Sequence, residues 1–224
     1  LDIPGGMQII LVVDGSPDNS TEICRKLCAS YVTPITVVDL AKNFGEHNAV
    51  MAGLGYADGE YVITLDDDLQ NPPEEVRKLW QYTQDNDYDV VYAQYRIKMH
   101  ARWRNLGSRF TNWCMEKTQG KPRGLYLASF RCMARLVVES ILSYQGPFPY
   151  IDGLVLQTTK NLGSLEVEHL PRPEGSSNYS LLKLFRLFSS MLFNYSVMPL
   201  RIGALAGGVL SFLGFVGFFF IVIE

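Results

Sequence analysis

The stretch YVITLDDDLQNPPEEV, residues 61–76, carries an apolar run directly into three consecutive aspartates. The run YVIT is typical of a strand covered on both faces, and the prolines and acids that follow are typical of a helix start. Adjacent carboxylates repel one another, so the block costs stability unless something offsets its charge. Two explanations stay open: a divalent cation among the oxygens, or a solvated acidic turn that caps the helix.

The spacing within DDDLQ decides which atoms a cation can use. In an extended backbone Asp66 and Asp68 project to one side and Asp67 to the other, while Gln70 continues the first side with a neutral oxygen. Mg²⁺ and Mn²⁺ favour a few protein carboxylates together with phosphate oxygens from a substrate. A strand that runs straight into the aspartates fixes their position, which favours the metal over the solvated turn.

The first 95 residues alternate between strand and helix patterns. The strand patterns are 8–14, 35–40, 60–66 and 88–95, and the helix patterns are 20–31, 48–58 and 72–84. This alternation predicts an α/β fold with a Rossmann-like, mostly parallel sheet and right-handed crossovers. Ligands of such sheets bind beyond the carboxyl ends of the strands. We therefore expect Asp14, the aspartates at 66–68 and Arg96 to converge on one rim.

Composition narrows the range of partners. The 224 residues carry a formal charge of −3, which gives no bias toward nucleic acid, so nucleic acid is not an expected partner. Lys and Arg concentrate between Arg96 and Arg135, which indicates an anionic ligand. The four cysteines show neither a CxxC pair nor metal-ligand spacing, so we expect free thiols in a reducing compartment.

The C-terminal part of the chain is predicted to meet a membrane. Residues 202–223 contain no charge and are long enough for a transmembrane helix. Residues 181–195 are apolar nearly all round except for Lys183 and Arg186, which predicts a helix lying in the membrane surface. Basic residues before the span place the globular part in the cytoplasm. The expected domains are a globular domain at 1–175, an interfacial helix region at 176–200 and a transmembrane helix at 201–224.

Four ordered motifs resemble one family. They are VVDGSPDNS at 12–20, NFGEHNAVMAGL at 43–54, ADGEYVITLDDDLQNPPEEV at 57–76 and RPEGSSNYSLLKL at 172–184. Together they resemble the polyprenyl-phosphate glycosyltransferases, inverting enzymes of family 2 with a GT-A fold that include dolichyl-phosphate mannose synthase and bacterial undecaprenyl-phosphate sugar transferases. The resemblance implies that one sugar moves from a nucleotide diphosphate donor to a membrane-anchored polyprenyl phosphate, with Mg²⁺ or Mn²⁺ as cofactor.

The resemblance also implies a membrane setting. We expect an enzyme of the cytoplasmic (inner) membrane, in contact with membrane lipids, whose catalytic domain lies on the cytoplasmic side. The first strand of the family, with its nucleotide loop, is not in this sequence, and many members carry a second C-terminal span. We therefore expect the full-length protein to contain both and to be multi-pass. A homotetramer occurs among related bacterial enzymes and is a possible assembly.

By resemblance, the donor side of the site falls on residues of the first half of the chain. The metal ligands match Asp66, Asp68 and Gln70. Contacts to the nucleotide sugar match Asp14, Lys42, Asn43, Asp66 and Asp67.

The acceptor side falls on the basic residues. A lipid phosphate is already ionised, so it needs positioning by fixed cations rather than loss of a proton, and arginine offers a planar fork for phosphate. Arg96, Arg104 and Ser108 match the acceptor-phosphate pattern of the family, and Arg131 and Arg172 are further phosphate candidates. The predicted catalytic set is Asp68, Arg96, Arg104 and Ser108.

Two other functions stay open. A processive membrane polysaccharide synthase needs more spans and a QxxRW-type motif, which FRCMAR at 130–135 is not. A catalytically inactive membrane scaffold with the same fold would not need Asp66, Asp68, Gln70 and Arg104 intact.

Four positions carry no firm assignment. Leu125 stands where members often have Asp, and Asp67 replaces a usual small residue, so both depart from the family pattern. His47 is more readily a structural residue than a catalyst. Asp152 either caps the segment that follows it or faces the sugar.

Overall fold

The computed structural model describes residues 3–95, 116, 121–170 and 198–223. The strands in these ranges are β1 (Ile9–Val13), β2 (Ile35–Asp39), β3 (Tyr61–Thr64), β4 (Val90–Tyr95), β5 (Arg131–Ala134) and β6 (Leu162–Val167). The helices are α1 (Ser20–Ser30), α2 (Glu46–Leu54), α3 (Pro73–Asp85), α4 (Arg135–Leu142), α5 (Ile151–Thr158) and α6 (Met198–Ile223). Every strand and helix predicted in the first 95 residues forms, with ends shifted by a few residues.

The strands form two sheets, one of which is mixed rather than mostly parallel. β1 pairs with β2 in parallel, and a second sheet has the order β3-β5-β4-β6. β5 is antiparallel to both of its neighbours, whereas β4 and β6 are parallel. The prediction of a mostly parallel sheet is therefore wrong for the second sheet. β5 lies between β3 and β4 and runs antiparallel to both, a pairing that does not require a crossover helix.

The core lies on both faces of the mixed sheet. On β4, Val90 and Tyr92 join a cluster with residues of α4 and α5, while Val91 and Ala93 join a second cluster with Leu79 of α3. All four of these β4 residues are fully buried. Alternate side chains of a strand point to opposite faces, so a strand covered on both sides is apolar at every position.

Strand direction explains where the site forms. Because β3 and β4 both run antiparallel to β5, and β6 runs parallel to β4, the carboxyl ends of β3, β4 and β6 meet at one edge of the sheet. The amino end of β5 reaches the same edge. The residues that follow β3, β4 and β6 therefore lie close to the residues that precede β5.

The C-terminal segment forms the predicted helix over most of its length. α6 spans Met198–Ile223 and its sequence is almost entirely apolar. Within the described ranges, however, no helix meets the combined requirement of length and apolar character for crossing a bilayer. The transmembrane assignment therefore stays a prediction. The predicted interfacial helix at 181–195 lies outside the described residues.

The turn after β1 brings two loops into contact at Gly15. Gly15 has a φ of +60°, in the left-handed region that favours glycine. A Cβ atom at this position would lie 2.3 Å from the carbonyl carbon of Lys42 and 2.4 Å from the amide nitrogen of Asn43. The close approach of the two backbones therefore requires glycine.

We expect Gly15→Ala to lower the free energy of unfolding by at least about 2 kcal/mol, because left-handed strain and a backbone clash add together. The measurement is urea unfolding of the detergent-solubilised protein. Gly124→Ala is the matched control, since Gly124 also has a positive φ, +79°, but nothing lies within 4 Å of its added Cβ. Equal losses for the two variants would contradict the close-approach explanation.

Candidate functional site

A cavity of about 410 Å³ opens at the sheet edge where β3, β4 and β6 end and β5 begins. This volume is in the range of sites that bind small molecules and cofactors. Its lining residues are Glu46, His47, Asp66, Asp68, Gln70, Asn71, Tyr95, Tyr126, Leu127, Ala128, Ser129, Arg131, Tyr150, Asp152 and His169. The predicted metal ligands are among them, together with side chains that the sequence did not indicate.

The aspartates after β3 are held by one long-range and one local hydrogen bond. Asp66 Oδ2 accepts a hydrogen bond of 2.7 Å from the Ser129 hydroxyl, and Asp68 Oδ1 accepts one of 3.2 Å from the Gln70 backbone amide. Leu69, between them, has a φ of 58°, which turns the chain sharply. A left-handed leucine costs about 1–2 kcal/mol, so the surrounding loop must stabilise this turn. Asp67 is exposed and is not among the lining residues.

Gln70 is tied to the end of β6. Its side-chain nitrogen lies 3.1 Å from the Leu170 carbonyl oxygen and 3.1 Å from His169 Nε2. The backbone amide of Leu170 in turn donates to the Gln70 carbonyl oxygen at 2.9 Å. The contacts with Leu170 and His169 use the side-chain nitrogen of Gln70. The side-chain amide oxygen is therefore the atom that a cation would bind.

The donor set fits a cation that completes its shell from a ligand. In the part of the chain that the structure describes, no group of three or more His, Cys, Asp or Glu side chains could hold a metal ion. Two carboxylates come from Asp66 and Asp68, and one neutral oxygen comes from the side-chain amide of Gln70. This is the incomplete set that suits Mg²⁺ or Mn²⁺ when phosphate oxygens of a substrate fill the remaining positions.

One wall of the cavity is aromatic. The ring of Tyr95 lies 4.0 Å from that of His169 and 6.3 Å from that of Tyr126, measured between centroids. The Tyr95 hydroxyl donates to Asn71 Oδ1 at 3.3 Å. Burial, followed by the neighbouring Tyr126 and Asp66, raises the pKa of Tyr95 to about 12, so this hydroxyl stays neutral. Such a wall can pack against a planar base or the apolar face of a sugar.

The floor of the cavity is a buried charged cluster. Arg131, the first residue of β5, is 2 % exposed, and its Nη1 donates a hydrogen bond to Asp152 Oδ1. The Tyr92 hydroxyl donates to the same oxygen at 3.1 Å. We call these three residues the floor cluster. Since they belong to β4, β5 and α5, the cluster joins three elements beneath the cavity.

Burial shapes the charges of the floor cluster. Burial has the largest single effect on Arg131 and disfavours its charged form, but Asp152, Tyr92 and Glu46 together outweigh it, so the pKa of Arg131 lies above its ordinary value. Burial, with a further contribution from Asp152, raises the pKa of Tyr92 well above its ordinary value. The cluster therefore holds one positive and one negative charge side by side.

His47 and Tyr150 flank the floor cluster. Their rings meet edge to face at 5.1 Å. Burial lowers the pKa of His47, so the ring is neutral near pH 7. Two buried nitrogens, His47 Nδ1 and Arg131 Nε, have no hydrogen-bond partner among the described groups. The floor thus has hydrogen-bonding capacity that the described fold does not use.

Asp14, Lys42 and Asn43 lie together but are not among the lining residues. The two carboxylate oxygens of Asp14 accept hydrogen bonds from the amides of Phe44 and Gly45, at 2.7 and 2.9 Å. Asn43 Nδ2 donates to the Asp14 carbonyl oxygen at 3.3 Å, and Lys42 Nζ lies 5.0 Å from the ring centroid of Phe44. The carboxylate of Asp14 thereby fastens the loop before α2. Contact of these three residues with a nucleotide stays a prediction.

Four predicted acceptor residues lie outside the described residues: Arg96, Arg104, Ser108 and Arg172. Arg131, the fifth, is in the floor cluster, where one nitrogen pairs with Asp152. Its contact with an acceptor phosphate stays a prediction. The structure shows in addition that Arg131 forms an ion pair with Asp152.

The sequence matches one known protein family. The family described as glycosyl transferase family 2 matches residues 4–138, more than half of the chain. The chain belongs to glycosyl transferase family 2. The match contains β1 to β5 and the aspartates at 66–68, which are the parts that build the rim.

Curated relatives in family 2 have a narrower description. The chain is 35% identical over 208 residues to undecaprenyl-phosphate 4-deoxy-4-formamido-L-arabinose transferase of Yersinia pestis (strain Pestoides F), covering 93% of this chain and 63% of that protein. The protein of that name from Proteus mirabilis (strain HI4320) is also 35% identical over 208 residues, covering 93% and 64%. The chain therefore spans less than two thirds of the length of these relatives. The predicted resemblance to polyprenyl-phosphate glycosyltransferases is confirmed at this level.

Solved structures share the fold. Mycobacterium tuberculosis glucosyl-3-phosphoglycerate synthase aligns with a TM-score of 0.55 and 18% identity, over 84% of this chain and 69% of that chain. S. aureus TarS 1-349 aligns with a TM-score of 0.52 and 15% identity, over 72% and 50%. The synthase has also been solved with Mn²⁺, UDP-glucose and phosphoglyceric acid, at a TM-score of 0.53 and 18% identity, over 82% and 65%. The predicted α/β GT-A fold is thereby confirmed, with a mixed sheet.

Several lining residues of this family 2 chain were not predicted from sequence. Tyr95 had a usable signal, because it ends a predicted strand and therefore lies on the predicted rim. Ser129 and Tyr126 had none, since they precede β5, a strand that was not predicted. Tyr92 is buried and does not line the cavity. It has the pattern of a core residue of β4, and only the fold brings its hydroxyl to Asp152.

Proposed function

We propose that the chain is the catalytic part of a membrane-bound inverting glycosyltransferase. It moves a single sugar from a nucleotide diphosphate sugar to a polyprenyl phosphate, giving a polyprenyl-phosphate monosaccharide for cell-envelope glycans. The observation that carries the proposal is that Asp66, Asp68 and Gln70 line one cavity together with Arg131 and Asp152. Family membership and the names of the relatives support the same reaction.

On the donor side, the chain's residues bind and orient the diphosphate and the sugar. Asp66, Asp68 and Gln70 would hold Mg²⁺ or Mn²⁺, which when bound would neutralise the charge that develops on the leaving diphosphate. The Ser129 hydroxyl holds the Asp66 carboxylate in place, and the Gln70 backbone amide holds that of Asp68. Asp14, Lys42, Asn43 and Asp67 are proposed nucleotide-side residues.

On the acceptor side, the chain must aim one anion at a site already occupied by another. A phosphate monoester is ionised at neutral pH, so no base is needed to activate it. Fixed cations are needed to hold it beside the donor diphosphate. The proposed cations are Arg96, Arg104, Arg172 and Arg131, with Ser108 as a hydroxyl donor.

The membrane assignment follows from the acceptor. A polyprenyl chain stays in the bilayer, so its phosphate meets the enzyme at the membrane surface. We propose that α6 anchors the protein in the cytoplasmic membrane with the catalytic domain on the cytoplasmic side, and that the full-length protein is multi-pass. A homotetramer is a proposed assembly.

The test uses membranes that contain the full-length protein. They are incubated with undecaprenyl phosphate and a panel of radiolabelled UDP- and GDP-sugars, and label is counted in the lipid phase. We expect one donor to label the lipid with a single sugar, EDTA to remove the signal, and added Mg²⁺ or Mn²⁺ to restore it. Membrane insertion, which does not depend on catalysis, is checked by carbonate extraction.

The two alternatives give different results in this assay. A processive synthase would extend the product into a polymer, visible as label of high molecular mass. A scaffold would transfer no label from any donor, with or without metal. Either result would contradict the proposed reaction.

A further inference from the structure

Within the described residues, the hydrogen bonds to the Asp152 carboxylate fall on one of its two oxygens. Oδ1 accepts the hydrogen bonds from Arg131 and Tyr92. The side chain keeps 11 % of its surface exposed, and the residue lines the cavity. A carboxylate that served only as the partner of Arg131 could be sealed completely. Oδ2, which accepts no hydrogen bond from the described residues, is the oxygen that we assign to a ligand.

A buried ion pair is an inefficient way to hold a fold together. Apolar side chains of similar volume usually stabilise a core as well or better, so the pair is weak support for a purely structural role. Its position on the floor of a cavity suggests a different use. Arg131 pairs with the Asp152 carboxylate and fixes its orientation, and Tyr92 fixes it from a second side. Such a carboxylate is a preorganised hydrogen-bond acceptor.

We propose that Asp152 Oδ2 accepts a hydrogen bond from a hydroxyl group of the donor sugar. The proposal rests on the function proposed above and assigns a sugar contact in that same cavity. Asp152 lines the cavity together with Asp66, Asp68 and Gln70. A sugar on a diphosphate held by those three residues therefore shares the cavity with Asp152.

The test measures binding to the full-length protein in detergent with Mn²⁺, by isothermal titration calorimetry. The probes are UDP, UDP-glucose, GDP and GDP-mannose. We expect a sugar nucleotide to bind more tightly than its free diphosphate. Asp152→Asn should weaken the preferred sugar nucleotide at least about 10-fold and leave the free diphosphate unchanged, because only the sugar touches this residue.

A deoxy series of the preferred sugar nucleotide separates contact from structure. In the wild type, removal of one particular hydroxyl should weaken binding at least about 10-fold. In Asp152→Asn, removal of the same hydroxyl should weaken binding less than about 3-fold, because the acceptor of its hydrogen bond has already been weakened. Tyr92→Phe is the matched control: it removes a bond to Oδ1 and should retain the full penalty for that hydroxyl. Thermal unfolding verifies that each variant is folded.

The outcomes also distinguish this proposal from the function on which it rests. If the wild type binds the nucleotides but Asp152→Asn leaves every sugar affinity and every deoxy penalty unchanged, the sugar contact is wrong and the proposed function stands. Equal weakening of sugar nucleotide and free diphosphate would likewise overturn the sugar contact alone. If no probe binds to the wild type, both proposals fall. If Asp152→Asn does not fold, an undiminished deoxy penalty in Asp152→Glu, which moves the carboxylate by one methylene, would overturn the contact.

Discussion

Asp68→Asn in the full-length protein is expected to reduce sugar transfer about 1,000-fold while leaving membrane insertion intact. The substitution keeps the shape of the side chain, and the asparagine amide oxygen can accept the hydrogen bond that the Gln70 backbone N–H donates to the carboxylate. It removes one of the two negative charges that would hold the divalent cation. Lewis-acid stabilisation of a leaving diphosphate amounts to several kcal/mol, and each 1.4 kcal/mol is about a factor of ten in rate.

The measurement is initial transfer rate as a function of Mn²⁺ concentration. Asp68→Asn should need far more Mn²⁺ than the wild type and should not reach its maximal rate. Asp67→Asn makes the same change in charge one residue away, but Asp67 is exposed and does not line the cavity. We expect it to lose less than about 10-fold. Wild-type turnover and metal dependence in Asp68→Asn would remove this residue from the metal site.

Local sequence patterns were sufficient for the elements that create the rim. The apolar runs of β1 to β4 are each bounded by turn residues, and α3 begins with Pro73 and two acids in its first turn. Each of these signals acts within a few residues, so it can be read without knowing the fold. The prediction that Asp66 and Asp68 face one site depended only on the period of a strand that ends there.

β5 shows what a local pattern does not carry. The strand is four residues long, and it begins with an arginine that looks like a surface residue. Its buried position comes from pairing with β3 and β4, which lie about 40 to 70 residues earlier in the chain. Strand pairing over such separations is decided by tertiary packing rather than by propensity.

The floor of the cavity was hidden for the same reason. Arg131 and Asp152 are 21 residues apart, and Tyr92 is 60 residues from Asp152. The sequence predicts a phosphate contact for Arg131 and allows Asp152 to be either a cap or a sugar contact. Asp14 is a comparable case, because its carboxylate reaches amides 30 and 31 residues away. Only the fold brings these partners together.

Arg131→Met is expected to lower the free energy of unfolding by about 3–5 kcal/mol, since it leaves the Asp152 carboxylate buried without its partner. Methionine fills much of the volume of arginine, so lost packing contributes little. Arg131→Met combined with Asp152→Leu should recover most of the loss, because an apolar pair carries no uncompensated charge. Recovery will be incomplete, as the buried Tyr92 hydroxyl loses its acceptor.

Urea unfolding of the three proteins measures this coupling as a double-mutant cycle. Arg25→Met is the matched control: Arg25 pairs with Asp39 at 3.5 Å, but the two side chains are 69% and 39% exposed, so the expected loss is below about 1 kcal/mol. Because the double variant has no carboxylate at position 152, it should fold and yet lack the sugar-dependent part of nucleotide-sugar binding. A double variant no more stable than Arg131→Met would mean that the cluster stabilises the fold through something other than charge pairing.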